Sequence, residues 1–193
     1  MNVSEPHERS RRKHSKEKDW MSSFDEGRSG GKDHSAADAQ LERAKRRRLK
    51  LNGLQEAIAE VERLDAGGYR QAGSWGLAGN LSHLNKSLNL CFEPFPFITP
   101  APIRPIMRAV MVPLMKRCVQ FPAGFKAPPP LQPAEDLELA AEIAEFKRLV
   151  GAVLNPDSQL QPNHPLLGKF NREQWIIMQT WHAAHHLSFL VPK

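Results

Sequence analysis

The residues best suited to chemistry stand near the C-terminus. From Trp175 to Leu190 the chain has no Asp, Glu, Lys, Arg, Gly or Pro, and within that stretch lie His182, His185 and His186. The length and composition predict a buried helix. On a helical wheel His182 and His186 sit one turn apart, with His185 beside them. Trp175, Met178 and Phe189 are expected on the same side. A cationic imidazole would be costly on such an apolar face, so neutral rings are favoured. Two neutral imidazoles at i, i+4 are a common way for one helix to offer two nitrogen ligands to a transition metal. The ordinary alternative is a set of core histidines hydrogen-bonded to the backbone, which needs a separate partner for each ring.

His83 is the other histidine of interest. Its helix carries the stripe Leu77, Leu81, Leu84 and Leu88, and His83 lies off it, on a strip with Gly76, Gly79, Asn80 and Ser87. These small or polar residues leave room for a ligand between helices. Equally, the strip could face solvent. His164, in a loop, and His185 are the candidates for an orienting or general-base role. Cys91 lies about two turns beyond His83, with its side chain expected to point off the histidine strip.

Four helices must position these groups. Leu54, Ile58, Val61 and Leu64 recur at helical spacing, with Glu56, Glu60 and Glu62 expected outside and Gly67-Gly68 as the stop. After a loop over 69–74, a second helix is predicted from Trp75, capped by Ser74. A third is predicted over 135–154, with Leu137, Ala141, Ala144, Leu149 and Val153 inward. The fourth is predicted to be capped by Asn171, with Glu173 and Gln174 in its first turn. Between the second and third, prolines are dense from Glu93 to Pro133, with a short or kinked helix expected over 106–119. An excursion of that length should pack over one end of the domain.

Charge divides the chain. Residues 1–50 hold 14 Lys and Arg against 9 Asp and Glu, a net of +5, while residues 51–193 hold 13 and 12, a net of +1. Residues 1–44 are polar and poor in apolar groups, and a disordered tail is expected, leaving 45–193 as the domain. The basic run Arg43 to Lys50 could touch phosphates, but its ordinary role is a solvated lead-in. A nearly neutral domain argues against nucleic acid as a partner. No apolar run is long enough to span a membrane, and the N-terminus lacks the apolar core of a secretory signal. Two cysteines without CxxC spacing suit a reducing, cytoplasmic setting.

Several pieces occur together in a known order: Arg48-Leu49-Lys50, Gly73-Ser74-Trp75-Gly76-Leu77 leading to Leu81-Ser82-His83-Leu84, His164-Pro165-Leu166-Leu167-Gly168-Lys169, Arg172-Glu173-Gln174-Trp175, and His182-Ala183-Ala184-His185-His186-Leu187. In this the chain resembles the DUF1569 family, grouped with the DinB/YfiT-like metalloenzymes, from about residue 45 to the end. The resemblance implies an all-α four-helix bundle in which His83, His182 and His186 hold one divalent metal, while His185 matches an adjacent histidine that is not a ligand. Gly76 departs from the more usual Ser. Relatives in the wider superfamily include thiol-dependent S-transferases and a maleylpyruvate isomerase.

Three histidines leave open positions on a metal, and zinc or nickel suits imidazole. The expectation is therefore a metal-dependent transferase or hydrolase acting on a small electrophile, with a low-molecular-weight thiol or water as the attacking group. The competing expectation is a non-catalytic bundle that uses its basic tail to bind a partner or nucleic acid. The sequence leaves a homodimer open.

Overall fold

The structure, a computed structural model, describes residues 46–117, 120–124 and 126–193. The expected tail, 1–44, lies outside them. Among the described residues the fold is dominated by five helices: α1 (Leu54–Gly67), α2 (Leu77–Asn89), α3 (Arg104–Lys116), α4 (Leu139–Leu154) and α5 (Arg172–Leu187). Two small antiparallel ladders accompany them, β1 (Tyr69–Gln71) with β4 (Leu190–Pro192), and β2 (Asn163–His164) with β3 (Gly168–Lys169). No helix among the described residues is long and apolar enough to cross a membrane.

Helix α2 packs on α4 and α5, α1 packs on α5 and α4, and α3 lies against α5 from outside. The core follows from the apolar spacing. Leu54, Val61 and Leu64 of α1 are fully buried, as are Leu77 and Leu81 of α2, with Leu84 and Leu88 nearly so. Removing such side chains from water stabilises the fold by roughly 2 kcal/mol each. Gly68, at φ 71°, ends α1 in a backbone region that favours glycine.

Several local expectations are corrected. Helix α2 starts two residues later than expected, with Gly76 and not Ser74 at its N-cap. Its Leu77 N–H donates instead to the Tyr69 hydroxyl at 2.8 Å. This long-range cap comes from β1, where a loop was expected, and it frees Trp75 from the helix. Helix α4 begins at Leu139, and its inward face is Phe146, Leu149, Val150 and Val153, whereas Ala141 and Ala144 are exposed. The bulk of Phe146 outweighs two alanines in choosing the buried side. Glu60 is buried between Arg47 and Arg63, which pair with its carboxylate. Helix α5 ends at Leu187, because Leu190–Pro192 turns away to pair with β1. Phe189 therefore leaves the histidine face and packs on His185, under the Arg46 guanidinium.

The Pro-rich excursion has two limbs. The first carries α3 onto α5, with Pro113 inside the helix. The second ends in a 3-10 turn, Pro129–Leu131, against α2. At the lead-in, Arg47 pairs with Glu60 and donates to the Leu187 carbonyl at 3.3 Å, and Arg46 donates to the Phe121 carbonyl at 2.9 Å. These two members of the basic run are turned toward the domain and are not a solvated lead-in.

Candidate metal centre

Helix α5 is fixed at its start by the expected cap. Asn171 Oδ1 accepts from the Gln174 N–H at 2.9 Å, and Gln174 Oε1 accepts from the Asn171 N–H at 3.1 Å. Arg172 reaches back to the carbonyls of Val153 and Asn155, both at 2.8 Å, and ties this end to α4. With the helix so anchored, His182 and His186 face α2, where His83 meets them. His83 is buried, so the solvent-facing alternative is excluded.

The three rings meet through one edge each. His83 Nε2 lies 3.1 Å from His182 Nε2, and His186 Nε2 lies 3.0 Å from the same atom. One nitrogen from each ring lies within 4.8 Å of the others, close enough to hold a metal ion. Three ligand nitrogens at the usual zinc distance in a tetrahedral site stand about 3.3 Å apart, so the observed spacing fits.

The opposite edge of each ring is engaged by the protein. His83 Nδ1–H donates to the Leu131 carbonyl at 2.6 Å. His186 Nδ1 stands 3.2 Å from Asn80 Oδ1, and the Asn80 amide nitrogen donates to the Trp75 and Gly76 carbonyls at 2.8 and 2.9 Å. That leaves Oδ1 as the acceptor for an Nδ1–H. His182 Nδ1 stands 3.1 Å from Ser87 Oγ, which in turn lies 3.3 Å from Gln179 Oε1. Gln179 Nε2 is committed to the Ser87 carbonyl at 2.8 Å, so the Ser87 hydroxyl donates to Oε1 and accepts from His182. All three protons are thus assigned to Nδ1, and three Nε2 lone pairs face one another. Neutral lone pairs repel at this distance unless a cation lies among them. Bonds of this kind from the far nitrogen are how ligating imidazoles are normally held.

Electrostatics agree. Burial pushes all three histidines below the ordinary imidazole range, with His182 and His186 well below it; neighbouring histidines further disfavour the cation at those two, and Lys86 does so at His83. Trp75 covers the cluster, stacked on His186 at 5.8 Å between ring centres and tilted over His83 at 5.3 Å.

The other candidates lie elsewhere. His185 is outside the metal-capable group, its ring edge-on to His186 at 4.9 Å and set between Phe121 and Phe189, and burial lowers it to about 4. His164 is enclosed by Phe170 and Trp175, its Nδ1 accepts from the Leu166 N–H at 3.1 Å, and burial lowers it to about 3. Cys91 is outside the metal-capable group; Gln179 Nε2 reaches its sulfur at 3.6 Å, and burial pushes its thiol up to about 12.

Asn80 and Ser87 were visible as neighbours of His83, though as cavity lining and not as partners of His186 and His182. Gln179 was missed; its signal was a polar side chain one turn before His182 in an otherwise apolar stretch. The Leu131 carbonyl had no sequence signal, since it reaches His83 across 48 residues.

A search of curated proteins and a search of solved structures each find no match. The family model for a protein of unknown function, DUF1569, matches residues 43–193. That span holds every helix among the described residues and all three clustered histidines, and the chain belongs to the DUF1569 family.

Proposed function

We propose that this chain is a metal-dependent enzyme with a DinB-like four-helix bundle. In this reading His83, His182 and His186 bind one divalent metal, zinc or nickel, and a low-molecular-weight thiol or water attacks a small electrophilic substrate. The observation that carries the reading is the convergence of three Nε2 lone pairs, each set by a protein acceptor at Nδ1. No fourth His, Cys, Asp or Glu joins the group among the described residues, so the ligand set suits an open site and not a closed structural one.

Bound there, a divalent metal supplies Lewis acidity, which favours the deprotonated form of a thiol or water near neutral pH. The chain's own residues do the remaining work. Burial keeps the three imidazoles neutral and available as donors. Asn80, Ser87 with Gln179, and the Leu131 carbonyl fix the ring planes, so that little reorganisation accompanies binding. Trp75 shields the cluster from bulk water. In the transferase form the thiol sulfur bonds to the electrophilic carbon and the leaving group departs with its electron pair; in the hydrolase form water takes the thiol's place.

The test has two stages. Metal content is measured on protein purified without a metal-binding tag, with one equivalent of metal expected. The loaded protein is then screened with low-molecular-weight thiols and small electrophiles. Protein that stays metal-free when zinc or nickel is supplied, yet binds RNA in a salt-sensitive way, would favour the non-catalytic reading.

A further inference from the structure

The side of α5 turned away from the histidine cluster is not closed. A cavity of about 210 Å3 lies between the lead-in at 49–52, the end of α3 and α5. Leu51, Met115, Ile177 and Trp181 give it apolar walls, and Thr180 and His185 also line it. Lys50 and Lys116 belong to its rim, Lys116 already paired with Glu173 at 3.3 Å. A cavity of about 150 Å3 takes a benzene ring, so this one has room for a ring and a small substituent.

Two polar atoms on this wall have no hydrogen-bond partner among the described residues, Thr180 Oγ1 and His185 Nδ1. Thr180 is only 7% exposed. A helical threonine commonly bonds back to the carbonyl one turn earlier, and this one does not. His185 bonds to the Phe121 backbone through its ring. With Nδ1 unpartnered, that bond belongs to Nε2–H, and Nδ1 presents a lone pair. Buried polar atoms are nearly always satisfied, and two exceptions on one cavity wall point to a ligand that satisfies them.

We propose that this cavity is a second small-molecule site, separate from the metal-capable cluster, and that its ligand class is a small aromatic alcohol. The ring packs among Met115, Ile177 and Trp181. The ligand hydroxyl donates to His185 Nδ1 and its oxygen accepts from the Thr180 hydroxyl. A carboxylate is disfavoured despite the two rim lysines, because an acceptor-only group would face the Nδ1 lone pair.

The test uses the full-length, metal-loaded protein and three probes of similar shape: phenol, toluene and benzoate. Binding is followed at the indole N–H resonances. Phenol at millimolar concentration is expected to shift Trp181 and to bind roughly threefold or more tighter than toluene, as one neutral hydrogen bond allows. Benzoate is expected to be weakest. Thr180→Val should weaken phenol and leave toluene unchanged. The ligand series on the unaltered protein decides the matter even if that variant folds poorly. Equal affinity for phenol and toluene, preference for benzoate, or a shift at Trp75 with Trp181 silent would each overturn the proposal, the last because it places phenol at the histidine cluster.

Discussion

Asn80 and His186 are joined side chain to side chain across α2 and α5, Oδ1 to Nδ1 at 3.2 Å, and the amide is held in place by two backbone carbonyls. The contact fixes both the tautomer and the ring plane of a candidate ligand. It also explains a buried asparagine in the first turn of a helix. Asn80→Ala is expected to weaken metal binding about 10- to 100-fold while leaving the helical signal intact. A competition titration against a chelating dye measures this, and unchanged affinity would remove the orienting role.

Each of the single changes His83→Ala, His182→Ala and His186→Ala is expected to abolish stoichiometric metal. His164→Ala and His185→Ala should keep it, since neither ring belongs to the cluster. Metal-to-protein ratios after gel filtration decide the point. A full equivalent in the His83→Ala protein would reduce the ligand set to α5 alone.

The pH dependence follows from the lowered pKa values of the cluster. Protons and metal compete for the same nitrogens, and burial has already made proton binding unfavourable. Metal should therefore be retained as pH falls through 6.5, the ordinary histidine value, and released only below it. A release midpoint at or above that value would contradict the buried, neutral triad.

His164 gives a separate signature in stability. Its pKa is about 3 in the folded chain and about 6.5 when unfolded. Between these values the unfolded state binds more protons, so stability rises with pH across the window. The contribution is fully present above 6.5 and is lost progressively as pH falls toward 3. His164→Gln should flatten the slope of stability against pH in that range. An unchanged slope in denaturant titrations would show that His164 is accessible to protons in the native state.

Removal of residues 1–44 is expected to leave Tm nearly unchanged, because the core of the described residues runs from Leu51 onward. Removal of residues 1–48 is different. It takes away Arg47 and leaves Glu60 buried with Arg63 alone. The loss should be about 2 kcal/mol, less than for a fully unpaired buried charge, and Tm should drop by roughly 4 to 8 °C. Parallel thermal scans of the two truncations test the contrast, and equal Tm values would mean that the Arg47–Glu60 pair contributes nothing.

Much of this was legible in the chain. The leucine spacing of α1 and α2, the Gly68 stop and the Asn171 cap are local signals, each dictated by periodicity or by the needs of a helix end. The pairing of His182 with His186 is local too, because four residues are one turn. What the sequence left open was every relation that crosses elements. Whether His83 faced solvent or the cluster depended on how α2 rotates against α5, and helical spacing specifies faces without saying which face meets which. Glu60 read as a surface residue because Arg47 lies outside its helix. Phe189 read as a neighbour of the triad because nothing local announces that β4 pairs with β1. The Nδ1 acceptors show the division most clearly: Asn80, Ser87 and Leu131 lie far along the chain from the rings they hold or from the cluster's other half. The sequence alone determined that a helix would carry two imidazoles on one side. Only tertiary packing brought in the third and turned all three lone pairs inward, because hydrogen-bond direction is set by atoms in space and not by their order in the chain.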